Sequence, residues 1–194
     1  MIVAEFMNRD AVTALPTAHL SAVRDVMTEH GFGLLLVADE EGTLRGFVTR
    51  ATLRGVTAWD DPVEKIVHSA RFAVEPLDTL EKAALILLDN RLSLLPVVED
   101  GRLVGVLSQS EVLRGLSGAL GIGQGGTRLS VRIRSGSDDL YNVLSVLQEH
   151  NATILSLAQD VSDGELSTVI LRVQNVEDRE ALREALEKRL TAVP

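Results

Sequence analysis

The sequence predicts an α+β protein with α/β-like layers: two tandem β-α-β-β-α repeats, then a separate βαββα unit. Three observations predict it. The chain matches itself at a nearly constant shift. Segments with apolar residues three and four apart alternate with short aliphatic runs. A glycine-rich stretch then precedes a segment that alternates with period two.

A shift of sixty residues lays Pro16 on Pro76, Leu20 on Leu80, and Leu34, Leu35 and Val37 on Leu94, Leu95 and Val97. The shift then drops by one. Gly42 falls on Gly101, Leu44 on Leu103, Gly46 on Gly105 and Thr49 on Ser108. The lost residue lies in a turn, where a deletion changes no strand register.

Each repeat opens with a short strand, 11–15 or 72–75, closed by Pro16 or Pro76. A helix follows, capped by Thr17 or Ser21 in the first repeat and by Asp78 or Thr79 in the second. Its apolar face is Leu20, Val23, Val26 and Met27, or Leu80, Ala83, Ala84, Leu87 and Leu88. Gly31 and Asn90 end these helices. The aliphatic runs 34–37 and 94–98 read as buried strands. The acidic-Gly turns at Gly42 and Gly101 lead into hairpin partners at 44–48 and 103–107. A second helix opens at Thr49 or Ser108.

Residues 115–126, GLSGALGIGQGG, formally contain GxGxxG. A dinucleotide fingerprint must follow a strand and open a helix. This one follows a helix and precedes a strand, so it reads as a flexible hinge. Leu129, Val131 and Ile133 then alternate with polar residues. Leu140, Val143, Leu144 and Leu147 mark a helix. Strands at 153–159 and 166–173 flank a turn at Ser162, Asp163 and Gly164, and a last helix covers 178–190. The predicted divisions are 1–58, 59–117, a hinge at 118–127, and 128–194.

Composition narrows the function. The net charge of −9 argues against a nucleic-acid surface, which needs a basic face. The absence of Cys removes disulfides, thiolate metal sites and Cys nucleophiles, and fits a cytoplasmic setting. Residues 1–10 lack a basic segment followed by an apolar one, as a secretory signal requires. The longest uncharged apolar runs, 32–38 and 83–88, are too short for a membrane span. His19, His30, His68 and His150 have no metal-ligand spacing and read as surface or capping residues. No nucleophile–base pair or acid–base constellation appears, so catalysis is not expected.

The chemistry sits where the second helix of each repeat begins, at Gly46-Phe47-Val48-Thr49-Arg50-Ala51-Thr52 and Gly105-Val106-Leu107-Ser108-Gln109-Ser110-Glu111. A hydroxyl there meets free backbone N–H groups, which attract phosphate. A carboxylate three residues later can accept both hydroxyls of a ribose. The same residues also read as helix caps, with Ser108 and Glu111 closing a capping box. Arg50, Arg54 and Arg114 stand beside these junctions, as phosphate partners or as parts of a solvated face.

Gly-x-x-Thr/Ser-x-x-Asp after a strand like Leu95-Pro96-Val97-Val98, twice in tandem, resembles the cystathionine-β-synthase (CBS) domain pair. Met7-Asn8-Arg9-Asp10 resembles that family's opening segment. The resemblance implies a pseudo-twofold module whose clefts take AMP, ADP, ATP or S-adenosylmethionine as regulatory ligands. It places one site at Ser108 and Glu111, with Ala73, Val74, Leu95 and Pro96 around the base and Arg114 nearby. It places the other at Thr49 and Thr52, with Val12, Thr13, Leu36 and Arg50. Because Thr52 stands where the family has a carboxylate, the Glu111 site is expected to be the tighter. The βαββα unit resembles an ACT domain of ferredoxin-like fold, which implies amino-acid binding at Ser135, Gly136, Ser137 and Asn151. The whole order of parts resembles the acetoin-utilisation B group. The expected function is a non-catalytic sensor that needs no cofactor, a homodimer whose hinge passes nucleotide binding to the ACT-like dimer or to an enzyme partner. The alternatives are amino-acid sensing through the last unit and an assembly role with vestigial pockets.

Overall fold

The computed structural model describes residues 1–160 and 164–191. Ser162 and Asp163 of the expected turn lie outside them. The chain divides into two compact units, Met1–Gly115 and Leu116–Pro194. No helix of the described residues is long and apolar enough to cross a membrane.

In the first unit, β1 (Thr13–Ala14), β2 (Leu34–Ala38) and β3 (Leu44–Thr49) form one sheet. Strand β1 is parallel to β2, and β2 is antiparallel to β3. Helices α1 (Leu20–Glu29) and α2 (Arg50–Leu53) complete the repeat. The second repeat has α3 (Leu80–Asp89), the antiparallel pair β4 (Leu94–Glu99) and β5 (Arg102–Ser108), and α4 (Gln109–Ala119). The strand expected at 72–75 is only a bridge between Val74 and Val97. Pro76 follows closely and has no N–H to extend a ladder.

The buried residues follow the repeat. Leu20, Val23, Met27, Leu35, Val37, Val48 and Leu53 pack in one core. Their counterparts Leu80, Ala83, Leu87, Leu95, Val97, Leu107 and Val112 are buried too. Two apolar residues cross over: Val63 joins the first core, whereas Val3 is held by the second repeat. The main chain shows how. The Val3 N–H donates to the Asp78 carbonyl at 2.9 Å, as the Val63 N–H does to Ala18 at 2.8 Å. The Leu80 N–H donates to Met1 at 3.2 Å, as the Leu20 N–H does to Asp61 at 3.0 Å. Each leading segment thus satisfies the free donors of the other repeat's helix. This corrects the capping expectation for α1. Its N-cap is His19, with no side-chain cap bond, and neither Thr17 nor Ser21 fills that role. Helix α3 is capped as expected by Thr79, whose Oγ1 accepts the Lys82 N–H at 3.1 Å.

The crossing explains the glycine of the junction motif. Residues 67–68 lie directly on β3 at Gly46. A Cβ there would stand 2.2 Å from the His68 carbonyl oxygen and 2.5 Å from Val67 Cγ1, and Gly46 has φ +145°. Its counterpart Gly105 lies under Asn8, where a Cβ would stand 2.8 Å from the Asn8 carbonyl oxygen.

In the second unit, β6 (Thr127–Arg134), β7 (Thr153–Asp160) and β8 (Leu166–Gln174) form an antiparallel sheet in the order β6-β8-β7. Helices α5 (Asp139–Glu149) and α6 (Arg179–Thr191) complete the βαββα order. Ile133, Val143, Val146, Leu147, Val169, Leu171, Val173, Leu182 and Leu186 form its core. The stretch expected as a hinge, 118–127, overlaps regular elements at both ends. Gly118 lies within α4 and Thr127 within β6. Loop carbonyls at Leu120 and Gln124 accept hydrogen bonds from Ser156 Oγ (2.9 Å) and Arg172 (3.0 Å).

Candidate functional site

Alternation along β2 and β4 sorts their side chains between two faces. Leu35, Val37, Leu95 and Val97 enter the cores. Leu34 and Leu36, with Leu94 and Pro96, turn to a shared cavity of about 550 Å³. Phe47 and Thr49 add the β3 side, and Leu92 with residues 68–72 close the rest. Both repeats therefore contribute. The volume falls in the ordinary range for small-molecule sites.

The polar wall is built around α2. Thr49 Oγ1 accepts the Thr52 N–H at 3.1 Å, and the two hydroxyls lie 2.9 Å apart. Thr52 Oγ1 is 3.0 Å from His68 Nε2. His68 is itself fixed by two main-chain bonds with Phe47, both 2.9 Å, and its ring lies against the Phe47 ring with centroids 5.7 Å apart. Arg71 lines the same cavity, and among the described residues no side chain pairs with it. Among the described residues, none that lines the cavity is a carboxylate.

The second junction has a different state. The Glu111 carboxylate accepts the Ser108 N–H at 2.8 Å and also the Ser108 hydroxyl. Ser108 Oγ accepts the Ser110 N–H at 3.2 Å. Glu111 is thus engaged at the start of α4, much as in a capping box, and neither Ser108 nor Glu111 lines the 550 Å³ cavity.

Of the other expected residues, Leu36, Thr49 and Pro96 reach this cavity. Leu95 does not. It is 0% exposed, because its neighbour Pro96 takes the opposite face of β4. Val74 is buried, Ala73 and Val12 are exposed, and Thr13 borders a separate hollow beside α1. Arg50 is drawn away: its Nε donates to the Phe32 carbonyl at 2.7 Å. Gln109 repeats that contact on Leu92 at 2.8 Å, so this position anchors the second helix in both repeats. Arg54 lies with Arg50 in another hollow beside Trp59, where the Arg24 guanidinium stands 4.8 Å over the ring. Arg114 is exposed on α4.

In the second unit, the loop before α5 is held by its own hydroxyls. Ser137 Oγ donates to the Arg134 carbonyl at 2.8 Å and accepts the Asp139 N–H at 3.2 Å. Ser135 Oγ donates to the Gly164 carbonyl at 3.3 Å. Gly136 turns this loop with φ +74°. Asn151 stands past the far end of α5, roughly 16 Å away at 1.5 Å per helical residue. One chain therefore does not bring Asn151 to Ser135, Gly136 and Ser137.

Sequence reasoning missed His68 and Arg71. The repeat carried the signal: residues 67–70 fall on Met7-Asn8-Arg9-Asp10, which places His68 opposite Asn8. The main chain agrees, since Asn8 pairs with Val106 as His68 pairs with Phe47.

Comparison with known proteins fits this geometry. The CBS domain family model matches residues 3–57 and 63–118. A CBS domain pair/ACT domain protein from Thermotoga maritima is similar at 29% identity with a TM-score of 0.57, over 62% of this chain and 99% of that one. The Arabidopsis thaliana protein CBSX2, solved in complex with AMP, is similar at 25% identity with a TM-score of 0.55, over 59% of this chain and 95% of that one. An uncharacterised protein of Methanopyrus kandleri is 27% identical over 121 residues, 58% of this chain. The match spans 61% of that relative, less than two thirds of its length.

Proposed function

The chain belongs to the CBS-domain family, and from that premise we propose that it is a non-catalytic sensor of an adenosine nucleotide. The observation that carries this reading is the 550 Å³ cavity, walled by aliphatic residues of both repeats and by the Thr49 hydroxyl. The base lies between Leu36 and Pro96, and the polar end of the ligand meets Thr49. A ligand that touches both repeats has different affinities for different arrangements of them, which is what regulation by population shift requires. The AMP held by CBSX2 supports an adenosine ligand.

The second candidate position is Ser108 and Glu111. Its use requires Glu111 to leave Ser108, so the Thr49 side is the primary site. The regulated partner, the homodimer, the ACT-like relay and the likeness to the acetoin-utilisation group belong to the same proposal.

Isothermal titration with AMP, ATP and S-adenosylmethionine tests it. At least one binds the unmutated chain, and Ala70→Trp, which fills the cavity wall, weakens that binding more than tenfold. If none binds at millimolar concentration, the sensor reading falls and an assembly role takes its place.

A further inference from the structure

The chain carries a net charge of −9, yet among the described residues no carboxylate lines the cavity on the Thr49 side. Its ionisable lining residues are His68 and Arg71. The repeat sharpens the contrast. Asp10 corresponds to Ala70, Ala11 to Arg71 and Glu111 to Thr52. Carboxylates at two of the positions that build one side are thus replaced on the other by Ala and Thr, and a cation is added.

We infer that this cavity selects its ligand by charge, taking the anionic end of a phosphate-bearing adenosine compound and disfavouring the cationic sulfonium of S-adenosylmethionine, with His68 and Arg71 as the specificity-determining residues. The inference rests on the adenosine reading of the cavity. His68 is well placed to discriminate because it is held on both sides. Its backbone is laddered to Phe47, and its Nε2 is within hydrogen-bond distance of the Thr52 hydroxyl that contacts Thr49. A polar group fixed in advance loses little freedom when an anion arrives. Arg71 brings a permanent charge and donors that match phosphate geometry. Where a carboxylate would hold a ribose diol, Thr52 introduces no negative charge to repel the phosphate.

Titration calorimetry with adenosine, AMP, ATP, S-adenosylmethionine and inorganic pyrophosphate, each on the full chain, decides the matter. The expected order is ATP and AMP tighter than adenosine, with S-adenosylmethionine weakest. His68→Gln and Arg71→Gln each weaken AMP by roughly tenfold, the scale of a charge-assisted hydrogen bond, and leave adenosine nearly unchanged. Arg102→Gln, exposed on β5 and outside the cavity, changes neither. Equal affinity for adenosine, AMP and S-adenosylmethionine overturns charge selection while the adenosine reading stands. Pyrophosphate binding that Arg71→Gln weakens, with no adenosine compound binding, supports charge selection and overturns the adenosine reading. No binding by any of the five overturns both.

Discussion

Asp139 is only 4% exposed and accepts three hydrogen bonds from Arg134: from its main-chain N–H at 2.9 Å, from Nε at 3.1 Å and from a terminal guanidinium nitrogen at 3.1 Å. The Arg134 side-chain bonds, then its backbone N–H, bring the Asp139 carboxyl down to about 2. A carboxyl lowered in the folded state stabilises the fold above its unfolded value. That contribution is lost as pH falls from about 4 through about 2. Arg134 is partly exposed, and screening reduces the gain to about 1–2 kcal/mol. Asp139→Asn therefore destabilises the second unit by about that amount at neutral pH, and its stability changes less between pH 4 and 2 than that of the unmutated chain. Urea unfolding followed by circular dichroism at several pH values checks both. At this scale the sequence was partly legible. Thr49 and Ser108 stood out because a hydroxyl at a strand-to-helix junction has a chemical reason to be there. His68 did not, because its partner Thr52 lies sixteen residues away and only the crossing of the leading segments unites them.

Helices and strands were readable where one periodicity governs burial, as in α1, α3 and β6. What stayed hidden was set by packing between elements. Leu95 and Pro96 are neighbours in the sequence, and only the seating of β4 decides which one meets the cavity. Gly115 looked like part of a hinge. It lies instead inside α4, where a Cβ would come within 2.4 Å of the Leu80 side chain. The crossing of the leading segments yields a sharper test. Gly46→Ala forces a Cβ into the His68 carbonyl at a backbone angle that L residues rarely adopt. Overpacking and strain together cost about 3 kcal/mol. Gly42→Ala meets only the backbone penalty, since nothing lies within 4 Å of its Cβ position, and costs about 1 kcal/mol. Guanidinium unfolding followed by Trp59 fluorescence ranks the two, and equal losses would mean that the close approach at Gly46 does not limit stability. Gly46→Ala also displaces His68, so AMP affinity falls with stability in this variant and not in Gly42→Ala.

The whole molecule is two units, each with its own core, and the candidate cavity belongs entirely to Met1–Gly115. Separate cores need not melt together. A ligand stabilises the unit that binds it by RT ln(1 + [L]/Kd), about 2.7 kcal/mol at one hundred times Kd. Differential scanning calorimetry of the full chain is therefore expected to resolve two transitions that answer to different perturbations. Saturating AMP raises the one belonging to the repeat pair by several degrees, since about 1 kcal/mol moves the midpoint of a domain of this size by roughly 4–8 °C. Asp139→Asn lowers only the other. Together they assign the transitions without cutting the chain. If the unmutated chain instead shows a single transition that AMP raises, the two units unfold as one cooperative body. Ligand energy gained in the repeat pair then reaches the βαββα unit directly, which is the coupling that a relay through that unit requires. If AMP moves only the first, the binding energy remains in the repeat pair, and any relay must act through a bound partner that touches both units.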